Sequence, residues 1–321
     1  MRDHGGNIDA AIARFGGTHW IDLSTGINRA PYPVPAIPIG DWTMLPTNAA
    51  KSATLAAART AYRTDAPMLA TAGAQAAIQM IPRLTVPGKV RILGPTYNEH
   101  AAALRAAGWQ VQQVSRFDQL AGADLAIVVN PNNPDGQSFA AADLQDLAKE
   151  TRLVVDESFG DPQPDLSLAP SAGAPGLIIL RSFGKFYGLA GLRLGFVIGC
   201  SDDIARLDDM AGPWPVNGAA LRIATQALTD HAWAKATILR LQAETAKADA
   251  LAKAAGWAVV GGTELFRLYE TPDAKAAQDR LAQHQIWSRI FPYSARWLRL
   301  GLPGDEAEWA RLACALEGRS N

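Results

Sequence analysis

Four short apolar runs set the frame of the chain: "VRIL" (90–93), "LAIVVN" (125–130), "RLVVD" (152–156) and "GLIIL" (176–180). Near-continuous runs of this length read as strands covered on both faces. Alanine-rich stretches alternate with strands along the chain and read as helices, among them "AQAAIQMIPRL" (74–84), "NEHAAALRAAG" (98–108) and "AADLQDLAKE" (141–150). Strand and helix in alternation predict an α/β large domain, a mostly parallel sheet with helices on both faces. Beyond Gly212-Pro213, a plausible break, a long alanine-rich stretch (217–255) predicts further helices. Short strands around 257–269 and 286–300 and a last helix follow, as in a smaller α+β domain.

In sheets of this type ligands bind beyond the carboxyl ends of the strands. That rule directs attention to the polar residues ending the runs. "NPNNPDG" (130–136) follows one run, Asp156 ends the next, and Lys185 in "RSFGKFYGLAGLRLGF" (181–196) follows the third. Singly, each has a plain structural reading: a turn, a helix cap and a solvated cation. Lys185 precedes Phe186 rather than Ser or Thr, so no Walker loop is present. Gly188, Gly191 and Gly195 also miss the dinucleotide spacing.

Composition narrows the partners. The 321 residues are 48% hydrophobic and 19% charged with a formal net charge of −1, enough for a large domain plus a smaller one. No basic footprint for nucleic acid or an anionic membrane is present, so the expected partners are small molecules. Cys200 and Cys314 are far apart, and the five histidines lack metal-ligand spacing, so no metal is expected. Free thiols, an N-terminus "MRDHGGNIDA" without an apolar leader, and no membrane-length apolar span predict a soluble cytoplasmic protein.

Asn133-Pro134-Asp135-Gly136, then Asp156, then Ser182-x-x-Lys185, then Arg193 eight residues on, form an ordered set. In this order the chain resembles the fold-type I pyridoxal 5'-phosphate (PLP) enzymes, the aspartate aminotransferase superfamily. The resemblance implies that Lys185 bonds to the cofactor's aldehyde. The chemistry suits it, because an attacking amine must lose its proton and a lysine pKa falls readily where an arginine's does not. Asp156 would keep the cofactor's ring nitrogen protonated, Asn133 would bond its phenolic oxygen, and Tyr97 would stack on its face. Gly73, Ala74 and Gln75 at a helix start, with Ser182 and Arg193, would hold the phosphate. Catalytic roles are implied for Lys185, Asp156 and Tyr97.

Within the superfamily, "HGGN" (4–7), "IDLSTGIN" (21–28), "DESFGD" (156–161) and "PWPVNGAA" (213–220) are similar to the threonine-phosphate decarboxylases of cobalamin biosynthesis. Phe159 stands where the neighbouring histidinol-phosphate aminotransferases usually carry Tyr. The branch implies a phosphorylated amino acid held by His4, Gly5, Gly6, Asn28, Asn133, Arg289 and Arg299, with Arg299 on the carboxylate and Arg289 and His4 on the phosphate. The alternative is an aminotransferase using a phosphorylated amine and 2-oxoglutarate. Also implied are a homodimer, an N-terminal arm (1–45) joining the small domain, a large domain (46–212) and a small domain (213–321). Leu45, in "MLPT", departs from the Tyr that often reaches the neighbouring subunit's cofactor, and Gly26 from an Asn of some relatives.

Overall fold

The computed structural model describes residues 4–318. In chain order its strands are β1 (Ile21–Asp22), β2 (Met68–Thr71), β3 (Lys89–Leu93), β4 (Gln110–Val114), β5 (Leu125–Val129), β6 (Leu153–Asp156), β7 (Leu177–Ser182), β8 (Gly195–Ile198), β9 (Ala258–Thr263), β10 (Phe266–Glu270), β11 (Ile286–Trp287), β12 (Arg289–Phe291) and β13 (Ser294–Gly301). The architecture is α/β, with one mostly parallel sheet and a separate antiparallel one. Two compact units make it up. The larger holds Tyr32–Asn133 and Gln137–Ala234; the smaller holds the described residues up to Pro31, Pro134–Gly136 and those from Lys235 onward.

The larger unit contains a seven-stranded sheet in the order β2-β8-β7-β6-β5-β3-β4. From β4 to β7 every pairing is parallel, whereas β8 runs antiparallel to both β7 and β2. Every residue of β5 and β6 is buried, the physical reason why those segments, up to Asp156 at the end of β6, are apolar without alternation. Val90, Ile92, Ile127, Val154, Ile178 and Val197 join Leu104 and Trp109 in one core cluster. The helices Asn98–Ala106 and Ala141–Glu150 match the sequence reading. The helix at 74 is shorter than read: it spans Ala74–Met80, and Pro82 turns its end into a 3₁₀ segment, Ile81–Arg83.

The units divide at 31/32 and 234/235 rather than at 45/46 and 212/213. Packing explains the shift. The helix Gly218–Thr229 lies on the helix Asn48–Tyr62, where Thr54 Oγ1 meets Thr225 Oγ1 at 2.8 Å and donates to the Leu221 carbonyl at 3.0 Å. Tyr32 packs edge-on to Trp233 at 5.1 Å between ring centroids.

The smaller unit carries a four-stranded antiparallel sheet in the order β12-β13-β10-β9. β1 pairs in parallel with β11, Ile21 opposite Ile286, which draws the N-terminal segment into this unit. Among the described residues, no helix is long and apolar enough to cross a membrane.

Candidate active site

The parallel strands of the larger unit deliver their following residues to one sheet edge. Asp156 is the last residue of β6, Ser182 the last of β7, and Lys185 sits in the short helix Phe183–Phe186 directly after it. Asn133 lies in the loop after β5. These four line one cavity with Gly73, Ala74, Gln75, Tyr97 and Arg193, so all nine residues picked from the sequence as cofactor ligands meet there. Ser158 and Phe159 complete much of the wall.

Asp156 is only 2% exposed. Burial alone pushes its carboxyl upward, but bonds from His100 and from the hydroxyl and N–H of Ser158 outweigh it and hold the group below the usual carboxylate range. His100 Nε2 lies 2.8 Å from Asp156 Oδ2. An ionised carboxylate only accepts, so that nitrogen carries the proton. His100 was not singled out in the sequence. Its signal was its position three residues after Tyr97, one helical turn on; the rings of Tyr97 and His100 meet edge-on at 6.2 Å. Tyr97's hydroxyl donates to Gln75 Oε1 at 3.2 Å, and Gln75 Nε2 donates to Glu99 Oε2 at 3.1 Å, so the hydroxyl end of this ring is tied to a side chain that is itself fixed.

Gly73 has φ +76°, and a Cβ there would stand 2.7 Å from Arg193 Nη2. Only glycine admits the guanidinium so close. Gly73's own N–H donates to the Thr71 carbonyl at 2.7 Å, so the backbone donors for an anion at this helix start are those of Ala74 and Gln75. Arg193 adopts φ +56° and is braced by a bond from Nη1 to the Ala190 carbonyl at 3.1 Å. Lys185 Nζ lies 5.6 Å from the centre of the buried Phe159 ring. Its helical turn is backed by Tyr187, stacked on Phe183 at 4.3 Å and on Trp233 at 5.5 Å. An amine, a buried anion, a flat aromatic wall and a cationic cradle too tight for any side chain together fit PLP.

His4, Gly5, Gly6, Asn28, Arg289 and Arg299, the residues read as substrate ligands apart from Asn133, all belong to the smaller unit. Arg289 and Arg299 are cross-strand partners on β12 and β13. Burial, and then the neighbouring Arg289 charge, bring Arg299 down to about 10, which leaves it cationic at neutral pH. Asn28 is buried, and its Oδ1 accepts from Arg240 at 2.7 Å and from the Ala30 N–H at 3.1 Å, so this oxygen is engaged within the unit.

Residues 39–316 match the family model described as "Aminotransferase class I and II". The chain is 44% identical to a threonine-phosphate decarboxylase of Sinorhizobium sp over 98% of this chain and 97% of that protein. It is 43% identical to one of Pseudomonas aeruginosa over 99% and 98%. The solved histidinol-phosphate aminotransferase from Clostridium acetobutylicum shares the fold, with a TM-score of 0.80 at 20% identity over 92% of this chain and 98% of that one. The chain belongs to the aminotransferase class I and II family, and its cofactor is PLP.

Proposed function

We propose that this protein decarboxylates L-threonine O-3-phosphate to (R)-1-amino-2-propanol O-2-phosphate and carbon dioxide, a cytoplasmic step of cobalamin biosynthesis. The observation that carries the reading is the near-full-length similarity to two threonine-phosphate decarboxylases. When bound, PLP supplies an electron sink for the bonding pair released as the carboxylate leaves. The chain's own groups do the rest. Lys185 Nζ anchors the cofactor and later delivers a proton to the substrate Cα. Asp156 keeps a proton on the ring nitrogen, Asn133 bonds the phenolic oxygen, Tyr97 stacks on the ring, and Ala74, Gln75, Ser182 and Arg193 take the phosphate.

Reaction choice is a matter of orientation. With PLP bound, the groups gripping the substrate's anions would decide which Cα bond is weakened, and so whether carbon dioxide or a proton is lost. In this reading Arg299 grips the carboxylate bidentately, and Arg289, His4 and the Gly5-Gly6 segment take the phosphate. Asn28 and Asn133 border the substrate. The competing reading, a histidinol-phosphate-type aminotransferase, makes a different prediction. Purified protein given PLP and L-threonine O-3-phosphate without a keto acid releases carbon dioxide over many turnovers, with aminopropanol phosphate seen by NMR. An aminotransferase instead stops after one turnover per site, and that outcome would replace the decarboxylase with the transaminase.

The protein acts as a homodimer in this reading. Support comes from Ile39, Trp42, Met44, Leu45 and Trp214 of the larger unit, large apolar side chains each more than half exposed. Light scattering on the purified protein gives twice the 34.1 kDa chain mass, and Trp42→Asp combined with Leu45→Asp gives monomer. A monomeric wild type would discard the dimer.

A further inference from the structure

Three segments far apart in sequence meet at Ser24 within the smaller unit. Ser24 is 0% exposed, and its hydroxyl, N–H and carbonyl are each engaged. Its N–H and Oγ both donate to Asp22 Oδ1, at 2.9 and 2.6 Å. With its proton turned toward Asp22, Oγ becomes an acceptor, and the Gly6 N–H donates to it at 2.7 Å. The Ser24 carbonyl accepts from Arg299 Nη2 at 2.8 Å.

Glycine is what lets the N-terminal segment come this near. A Cβ on Gly5 would stand 2.3 Å from the Ser24 carbonyl oxygen, the atom that Arg299 uses. Gly6 has φ +85°, a conformation that other residues adopt only under strain. A side chain at either position would therefore displace the segment or disturb the bond to Arg299.

We propose that Ser24 is a positioning residue that latches the Gly5-Gly6 segment to the Arg299 guanidinium, so that docking the segment and orienting the arginine are a single event. A guanidinium forks in one plane, and its grip on a carboxylate depends on how that plane is set. Here one arm of the fork is fixed to a carbonyl whose residue is itself pinned to Asp22 at two atoms. The kinetic half of the inference rests on the proposed function, in taking Arg299 as the carboxylate ligand and the Gly5-Gly6 segment as a phosphate ligand; the latch itself concerns this unit alone.

Amide hydrogen exchange on the PLP-loaded protein without substrate tests the latch first. Ser24→Ala removes the acceptor of the Gly6 N–H, and Gly5→Ala drives a methyl at the Ser24 carbonyl. Both variants raise exchange across residues 5–7 by about tenfold or more over wild type. Kinetics tests the coupling. Each variant raises KM for L-threonine O-3-phosphate by about tenfold while lowering kcat by less than about threefold. In an Arg299→Lys background, where the fork is gone, Gly5→Ala adds no more than about twofold to KM. Wild-type exchange in both variants overturns the latch, and so do KM penalties that multiply in the double variant. Absence of turnover in the wild type counts against the decarboxylase reading alone, because the exchange comparison decides the latch without it.

Discussion

Lys185→Ala lowers turnover of L-threonine O-3-phosphate by at least about a thousandfold, the scale of a positioned proton donor, while the cofactor stays bound. In the proposed reading two functions would disappear together: the amine that anchors the cofactor and the acid that returns a proton to Cα. The cofactor is expected to stay because the other groups of the cavity would hold it without a covalent bond. Asp156, Tyr97, Asn133, Ser182 and Arg193 all line the same wall as Lys185. Lys185→Arg separates charge from nucleophilicity, since a guanidinium keeps the cation but offers no free amine at neutral pH. It is expected to be as inactive as the alanine variant. Single-turnover carbon dioxide release, with absorbance spectroscopy to count bound cofactor, measures both properties. Turnover at the wild-type level in Lys185→Ala would remove the lysine from its assigned role, and loss of the cofactor in that variant would mean that the surrounding groups are not the main source of affinity.

The interior of the larger unit was legible because burial on both faces leaves β5, residues 153–155 of β6 and residues 177–180 of β7 wholly apolar. The polar residues ending those strands then stood out, and Asn133, Asp156 and Lys185 do share a cavity. Elements at the sheet margin were hidden. β4 reads "QVQQV", its glutamines facing solvent at an edge, and nothing in that pattern marks a strand. The short β2 and β8 also escaped notice, although they set the antiparallel side of the sheet. His100 was missed for a different reason. Its pairing with Asp156 joins a helix to a strand 56 residues on, and local spacing encodes only its phase relative to Tyr97. The unit boundaries depend on contacts such as Tyr32 with Trp233, which no turn signal announces. For the glycines of "HGG" the sequence offered a resemblance, and the structure adds a cause in the closeness of the Ser24 carbonyl.

Asp156→Asn keeps the shape of the site and removes its charge, and is expected to lower kcat by about a thousandfold, as the loss of a preorganised electrostatic partner does. In the proposed reading the amide would not hold a proton on the cofactor's ring nitrogen, and the electron sink that PLP supplies would be weaker. The same substitution reports on the carboxylate without substrate or cofactor. In the folded protein, the bonds from His100 and Ser158 hold Asp156 below its ordinary value of 3.8 against the upward push of burial. A group shifted in that direction stabilises the fold above its unfolded pKa, and that contribution is lost as pH falls through the folded value. The amide does not titrate. The stability of the cofactor-free wild type relative to Asp156→Asn should therefore fall below about pH 4. Thermal melts of both proteins across that range give the difference directly. A difference that stays flat into acid would show that Asp156 is not held ionised by its neighbours, and the basis for its role beside the cofactor ring would go with it.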